Sequence, residues 1–273
     1  MISAIVPSYK NPDSLNICLR SFIDNVSLNT SELICIIDGH SDIYDNIIKY
    51  YKQYNNIYFI INSDNQGMSF SINTGAAYAN NSWLLVLNDD NVFPKNWDGI
   101  LSQYKYENFV ISPNQIERKA SIFNFVEYDF GDVDHFRYDE FIEKEPQFRI
   151  DTNNKLTNDG EIFPFMISKK IFMACGGFDI TYPSPFICDW DFFLKLELLG
   201  IQFARTRELN FYHFGSVSTK NSKDIKEATH FKNSEQEAAN MFLEKWGFPP
   251  SIKRPINSHK PQNTKNVRGI SYE

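Results

Sequence analysis

The stretch Trp83-Leu-Leu-Val-Leu-Asn-Asp-Asp90 is a continuous apolar run that ends in one amide and two carboxylates. Such a run, bounded by polar residues, is typical of a strand that is buried on both faces of a parallel sheet. Ligands of parallel α/β sheets bind at the carboxyl ends of the strands, so the run predicts a ligand site at Asn88, Asp89 and Asp90. Adjacent carboxylates repel each other, and a hard divalent cation would relieve that repulsion. A solvated Asn-Asp turn is the alternative interpretation.

Three similar apolar runs precede this one, and segments with helical spacing separate them. The predicted strands are 2–6, 33–37, 57–61 and 83–87, and the predicted helices are 11–26, 42–54 and 68–80. Strands that alternate with helices along the chain indicate βαβ units. We therefore predict a mostly parallel sheet that is covered by helices on both faces.

The second half of the chain is less regular. Short strands are predicted at 109–112, 121–127, 162–167, 202–204 and 209–214, and helices at 169–175, 189–199 and 222–246. In the last helix, the positions predicted to be buried are Ala228, Phe231, Ala238, Met241, Phe242 and Leu243. Segment 127–145 is rich in Asp and Glu and lacks clear periodicity, which predicts a solvated insertion. An acceptor-side lid or a contact for a basic partner is the alternative.

This pattern predicts a single α/β domain over residues 1–250. It comprises a regular half at 1–105, a mixed half at 106–220 and a C-terminal helix at 221–248. Residues 251–273 are polar and basic, which predicts a loosely attached, disordered tail. A peripheral contact between these cations and an anionic membrane is the alternative, but the cations are sparse.

The composition excludes several classes of protein. Of the 273 residues, 42% are hydrophobic and 15% aromatic, which is enough for a substantial core and argues against disorder. No run approaches the roughly 20 apolar residues of a transmembrane helix, and no secretory signal is expected. The net charge of −7 argues against a nucleic-acid partner. The four cysteines have no metal or redox spacing, so we expect free thiols and a cytoplasmic location.

The chain contains no Gly-x-Gly sequence. Its absence excludes both the dinucleotide-binding fingerprint of the Rossmann fold and the phosphate-binding P-loop. If the ligand is a nucleotide, its phosphates need another partner, and a metal ion at Asp89 and Asp90 would serve.

Further motifs accompany this site in a characteristic order. They are Pro7 and Tyr9 in SAIVPSY, Asp38 in IDGHSD, Asn65 and Gly67 in NQG, Asn73 in SINTG, the segment GGFD at 176–179, Asp189-Trp190-Asp191, and His213 in YHFGSVS. With Asn88-Asp89-Asp90, they resemble the motifs of family 2 glycosyltransferases, which are inverting, nucleotide-sugar-dependent enzymes of the GT-A fold. The resemblance covers about residues 3–218. It departs from the family at Asn88, where the first Asp of a DxD motif is common, and at Cys188, where Glu is usual.

The resemblance implies a role for each motif residue. Contacts with the nucleotide-sugar are implied for Pro7, Tyr9, Asp38, Asn65, Gly67, Asn73 and Asp89. Asp90 and His213 would bind a divalent metal, Asp189 would be the general base, and Trp190 and Asp191 would contact the acceptor or support the site. An imidazole ligand favours Mn²⁺ over Mg²⁺.

The implied function is the inverting transfer of a sugar from a nucleoside-diphosphate sugar to a hydroxyl group. UDP is the favoured nucleotide, and the acceptor would be a glycan, a glycolipid or a protein. Residues 1–105 would bind the donor, and residues 106–220 would bind the acceptor. A non-catalytic nucleotide-sugar-binding module is the first alternative. A sugar-phosphate nucleotidyltransferase is the second, although the glycine-rich segment expected after its first strand is missing.

Overall fold

The computed structural model describes residues 1–28, 30–39, 41–119, 126–150, 156–157, 160–183, 185–215 and 225–250, with the backbone alone at 225–228 and 230–231. The strands of this part are β1 (Ser3–Ser8), β2 (Glu32–Asp38), β3 (Ile57–Asn62), β4 (Trp83–Val86), β5 (Asn91–Val92), β6 (Phe109–Glu117), β7 (Val126–Glu127), β8 (Phe165–Ser168) and β9 (Gln202–His213). The α-helices are α1 (Pro12–Asn25), α2 (Asp45–Tyr51), α3 (Met68–Tyr78), α4 (Trp97–Leu101), α5 (Tyr138–Lys144), α6 (Lys169–Ala174), α7 (Cys188–Leu198) and α8 (Ile225–Trp246). Short 3₁₀ helices lie at Ser41–Tyr44, Ser102–Tyr104, Val133–His135 and Glu145–Phe148.

In the described part of the chain, the strands form one mixed sheet in the order β3-β2-β1-β4-β8-β6-β9-β5, with β7 beside β6. Strands β1 to β4 are mutually parallel, as the alternation of strands and helices predicted. Strand β8 runs antiparallel to both β4 and β6, and β5 runs antiparallel to β9. The predicted α/β fold with a mostly parallel sheet is confirmed.

Apolar side chains fill both faces of this sheet. Along β1, Ala4 and Val6 belong to the core under α1, whereas Ile5 belongs to the core under α3 and α7. Strand β2 alternates in the same way, with Cys35 on the first face and Ile36 on the second. Because successive side chains of a strand point to opposite faces, a strand covered on both sides must be apolar throughout.

Helix α1 shows how local sequence produces these layers. Pro12 occupies its first turn, where the missing N–H of proline costs no hydrogen bond. Leu15, Cys18, Leu19 and Phe22 recur at helical spacing and are fully buried. Their stripe faces the sheet and holds α1 over β1 and β2.

The second half of the chain differs from the prediction in its element bounds. Strand β6 continues to Glu117, and β9 is one long strand where two short ones were predicted. The pairing of β6 with β9 shifts register between Pro113 and Asn114, and this irregularity accounts for the polar break in the sequence pattern. The prediction that Leu243 is buried in the last helix is wrong, since its exposed fraction is 44%.

The prediction of a solvated insertion at 127–145 is also wrong. Phe130, Phe141 and Tyr212 are fully buried in a third apolar cluster, and Phe136 stacks on Tyr212 with ring centroids 5.1 Å apart. The acidic side chains surround this aromatic core. The segment therefore packs against β9 as part of the fold.

Several predictions concern residues outside the described ranges. These are the strand at 121–125, the motif residues at 40 and 216–218, the helix start at 222–224, the side chains of Ala228 and Phe231, and the tail at 251–273. Among the helices that the structure does describe, none combines the length and apolar character that a membrane span requires.

Candidate functional site

The candidate site lies at the edge of the sheet where the parallel strands β1 to β4 end. Just beyond β4, Asn91 of β5 pairs with His213 at the end of β9. The backbone N–H of Phe214 donates to the carbonyl of Asp90 over 3.1 Å. This antiparallel contact brings His213 beside Asp90, although the two residues lie far apart in sequence.

His213 lies between two carboxylates. Its Nε2 is 3.3 Å from Asp90 Oδ1, and its Nδ1 is 2.7 Å from Glu117 Oε1. Burial alone would lower the pKa of His213, but Asp90 and Glu117 outweigh burial and raise this pKa to about 10. The two residues that sequence reasoning assigned to a metal are thus brought together by the fold, with Glu117 as an additional neighbour.

Asp89 points into the protein instead. Its Oδ2 accepts a hydrogen bond from the Ser8 hydroxyl over 2.6 Å, and its Oδ1 accepts one from the Asn11 amide over 3.1 Å. The Tyr44 hydroxyl lies 3.0 Å from the Ser8 hydroxyl and accepts the backbone N–H of Asn11. This ring of hydrogen bonds fixes the loop after β1 to the end of β4.

The environment of Asp89 also affects its charge. Burial, followed by the repulsion from Asp90, raises the pKa of Asp89 to about 7, although the hydrogen bonds from Ser8 and Asn11 oppose the rise. In this structure the side chain is 7% exposed. Its predicted contact with the nucleotide-sugar stays a prediction, and the arrangement itself gives Asp89 a structural role.

Asp38 holds the loop that follows β3. Its carboxylate accepts hydrogen bonds from the Asn62 amide and from the backbone N–H groups of Gln66 and Gly67, all over 2.8–2.9 Å. Asn65 is exposed, and its side-chain oxygen also accepts the Gly67 N–H. Gly67 has φ +90 at the start of α3, a backbone conformation that side chains disfavour. These residues shape the edge of the sheet together.

Asn73 on α3 makes a specific contact with the segment GGFD. Its amide donates to the carbonyl of Phe178 and accepts the N–H of Phe178, each over 2.8 Å. The contact is close, because a Cβ at Gly177 would lie 2.4 Å from the Asn73 oxygen. Asn73 therefore joins α3 to residues 176–179, and its predicted nucleotide contact stays a prediction.

Pro7 and Tyr9 lie where β1 leaves the sheet. Pro7 pairs with Ile36 inside the sheet, and Tyr9 is half-buried just beyond the last residue of β1. The ammonium of Lys10 lies 5.2 Å from the centroid of the Tyr9 ring, and Lys10 itself has φ +53. Both predicted residues thus stand at the expected edge.

Asp189 lies in the first turn of α7. Its Oδ1 accepts the N–H of Trp190 over 2.9 Å, and the side chains of both residues are partly exposed. The preceding Cys188 interacts with Ser69 in the first turn of α3, so both helices begin at the same edge of the sheet. Ile187 enters α7 with φ +73, a strained conformation for a β-branched residue, and such strain clusters at functional sites.

Asp191 is fully buried and supports α7 from inside. It accepts hydrogen bonds from Trp246 Nε1 over 2.9 Å and from the Tyr182 hydroxyl over 3.2 Å, and it pairs with Lys245 Nζ at 2.7 Å. Lys195 Nζ lies 3.8 Å from its other oxygen. Asp191 thus connects α7 to α8.

Sequence reasoning missed four residues of this site. Ser8 and Asn11 donate to Asp89, Tyr44 contacts Ser8 and Asn11, and Glu117 contacts His213. Ser8 and Asn11 follow the first strand directly, so their position was a usable signal. No sequence signal pointed to Glu117, because its strand was predicted to end at Ser112.

A divalent cation fits this donor set. Asp90 Oδ1 and His213 Nε2 lie 3.3 Å apart, close enough for one cation to contact both. The predicted preference for Mn²⁺ over Mg²⁺, based on the imidazole nitrogen, stays a prediction. Within the described residues, no group of three or more His, Cys, Asp and Glu side chains is arranged to hold a metal.

Comparisons of the sequence with known proteins agree on one family. A family model described as glycosyl transferase family 2 matches residues 3–176. An uncharacterized glycosyltransferase of Haemophilus influenzae is 28% identical over 204 residues, which cover 72% of this chain and 62% of that relative. The chain thus spans less than two thirds of the length of this relative.

Solved structures share the fold at low sequence identity. A crystal structure of S. aureus TarS has a TM-score of 0.58 at 14% identity, covering 89% of this chain and 39% of TarS. A crystal structure of S. aureus TarS 1-349 in complex with UDP has a TM-score of 0.57 at 15% identity, covering 89% of this chain and 72% of that one.

Proposed function

Because the chain belongs to glycosyl transferase family 2, we propose that it transfers a sugar from a nucleoside-diphosphate sugar to a hydroxyl group of a glycan, glycolipid or protein. The observation that carries the proposal is the pair of Asp90 and His213, which meet at the carboxyl edge of a parallel sheet. UDP is the favoured nucleotide, and the complex of the TarS neighbour with UDP supports this choice.

Asp90 and His213 would hold the divalent cation, with Mn²⁺ favoured over Mg²⁺. When bound, the cation supplies Lewis-acid stabilisation of the negative charge on a diphosphate leaving group. The backbones of both residues are fixed, because Asn91, which follows Asp90, pairs with His213, and the N–H of Phe214 donates to the Asp90 carbonyl. Diphosphate oxygens would complete the coordination. This division of ligands fits a chain that lacks a glycine-rich phosphate loop.

Asp189 is the proposed general base. It lies in the first turn of α7 and is partly exposed. Asp189 would take the proton of the acceptor hydroxyl at a carboxylate oxygen while that hydroxyl attacks the anomeric carbon. The bond from this carbon to the diphosphate oxygen breaks in the same step, and the nucleoside diphosphate leaves. A single displacement inverts the anomeric centre, and a positioned base of this kind contributes about 10²–10⁴-fold to the rate. Trp190 beside it is partly exposed and is a candidate contact for the acceptor.

We also propose a cytoplasmic location. All four cysteines are buried free thiols, a state that suits a reducing compartment.

A thermal-shift panel of UDP-, GDP-, dTDP- and CMP-sugars, each with Mn²⁺ or with EDTA, tests the donor site. A ligand at about 100 times its Kd adds about 2.7 kcal/mol of stability, so binding would raise the melting temperature clearly. We expect a shift with UDP-sugars that needs Mn²⁺ and that Asp90→Ala abolishes. Asp134→Asn is the matched control, because Asp134 is an exposed carboxylate of segment 127–145. This variant should keep the shift.

Asp189→Asn separates binding from catalysis. This variant should show the donor shift of the wild type but lose hydrolysis or transfer of the sugar. If none of the donors raised the melting temperature of the wild-type protein, the proposed donor site would be contradicted. A wild type that shifts but whose turnover survives Asp189→Asn would contradict only the assignment of the base.

A further inference from the structure

The most specific contact of the site that no motif accounts for is the one between Glu117 and His213. Glu117 Oε1 lies 2.7 Å from Nδ1 of His213, on the side of the ring opposite Asp90. The side chains of Glu117 and His213 are 16% and 15% exposed, and that of Asp90 is 6% exposed. The imidazole is therefore held at both nitrogens within a nearly enclosed space.

The backbone of Glu117 is fixed from two sides. It is the last residue of β6, where it pairs with Glu127 of β7. Its carbonyl accepts the N–H of Tyr128 over 2.9 Å. The preceding Ile116 pairs with Tyr212, directly before His213. Two neighbouring strands thus determine where the Glu117 carboxylate meets the ring.

A carboxylate that accepts the Nδ1 hydrogen of a histidine has a known physical effect. It fixes the orientation of the ring and keeps a hydrogen on Nδ1, so that Nε2 is the nitrogen that binds a metal ion, in exchange for its own proton. It also makes Nε2 a better electron donor, and the loss of such a partner typically weakens metal binding about 10–100-fold.

We propose that Glu117 is a positioning residue, which directs Nε2 of His213 toward Asp90 so that the two side chains can bind a divalent cation together. The inference rests on the proposed function, in which Asp90 and His213 are the metal ligands. It adds a residue outside every sequence motif and assigns part of the donor site to β6, the strand that ends at Glu117.

Binding of Mn²⁺ in the presence of UDP, followed by the electron paramagnetic resonance signal of free Mn²⁺, tests the inference. The proteins are the wild type, Glu117→Gln, His213→Ala and the double variant. Glu117→Gln keeps the size of the side chain but removes its charge. We expect this variant to bind Mn²⁺ about 10–100-fold more weakly than the wild type. In the His213→Ala background, Glu117→Gln should leave the affinity for Mn²⁺ unchanged, because Glu117 acts through the imidazole ring.

Two further variants separate orientation from charge and from general surface effects. Glu117→Asp keeps the charge but withdraws the carboxylate, so it should also weaken Mn²⁺ binding, and it answers the question if Glu117→Gln does not fold. Asp132→Asn is the matched control, because Asp132 contacts Nδ1 of His135 over 2.9 Å on the exposed surface. That variant should bind Mn²⁺ like the wild type.

The outcomes distinguish the inference from the function on which it rests. Unchanged Mn²⁺ affinity in both Glu117 variants, with a loss in His213→Ala, would overturn the role of Glu117 and leave the metal site standing. An equal loss from Glu117→Gln with and without His213 would overturn it as well, because Glu117 would then act independently of the ring. A wild type that binds no Mn²⁺ with UDP would overturn both.

Discussion

Replacing Lys245 by Met should destabilise the protein strongly, because Lys245 joins two carboxylates that have little access to water. Its Nζ lies 2.8 Å from Asp179 Oδ2 and 2.7 Å from Asp191 Oδ1. The side chains of Lys245, Asp179 and Asp191 are 12%, 9% and 0% exposed. Met fills a similar volume but leaves both carboxylates without their nearest cation.

The expected magnitude follows from the pKa of Asp179. Burial alone would raise this pKa, but hydrogen bonds from Lys245 and then Thr181 lower it from 3.8 to about 2. A shift of this size corresponds to about 2.5 kcal/mol of stability near neutral pH, part of which comes from Thr181. Asp191 loses its closest cation too, although Lys195, Tyr182 and Trp246 remain beside it. We therefore expect a loss of about 3 kcal/mol, the lower end of the range for breaking a buried ion pair.

The loss should depend on pH in a defined direction. The folded-state pKa of Asp179 lies below its unfolded value, so its contribution is complete above about pH 4 and disappears as the pH falls toward about 2. In Lys245→Met the pKa is no longer lowered by the ammonium, so that contribution is already missing. The difference between the two proteins should therefore shrink as the pH falls.

Urea denaturation of both proteins at about pH 7 and about pH 3 measures this difference directly. Lys144→Met is the matched control, because Lys144 also pairs with a carboxylate, Glu140, but on the surface, and its loss should be clearly smaller. Equal stability of Lys245→Met and the wild type at neutral pH would refute the reasoning. So would a difference that does not change with pH.

Three further changes test other parts of the structure, each by chemical denaturation. Gly177→Ala should destabilise the protein clearly more than Gly200→Ala. Both glycines have positive φ, which costs an alanine about 1–2 kcal/mol of stability. Only at Gly177 would the new Cβ also meet an amide oxygen, at 2.4 Å. Equal costs would contradict the packing of GGFD against α3. Ser8→Ala removes the 2.6 Å hydrogen bond to buried Asp89 and should cost about 1.5–3 kcal/mol, and a neutral effect would contradict the structural role of that carboxylate. Phe141→Ala should cost about 3–5 kcal/mol, whereas a truly solvated insertion would tolerate it.

The regular half of the fold could be predicted because three of its four strands, β1, β2 and β4, are covered on both faces. Continuous apolar runs such as 33–37 identify such strands without any long-range information, and the polar residues that follow them identify the edge with the site. The acidic segment was misread for a related reason. Its charges dominate the composition, but Phe130, Phe136 and Phe141 do not follow one period, since the segment winds around Tyr212 as a loop and short helices.

The contacts between distant residues could not be predicted from spacing. His213 meets Asp90 and Glu117 only because β9 lies between β5 and β6 in the sheet, an order that no local pattern encodes. The same holds for Asp191, whose partner Trp246 belongs to the last helix of the described chain. A motif identifies the residue, and the sheet order decides what it touches.

The pair Asp89 and Asp90 shows how far the sequence argument for a cation extends. Asp90 does repel Asp89 in the structure, but burial is the larger cause of the raised pKa of Asp89. The two residues form the turn between β4 and β5, in which Asp89 points toward Ser8 and Asn11 while Asp90 points toward His213. The hydrogen bonds from Ser8 and Asn11 already stabilise the Asp89 carboxylate without a cation. The case for a cation therefore rests on the proposed ligands Asp90, in the turn before β5, and His213, at the end of β9. Removing either should weaken metal binding while Asp89 keeps its structural role.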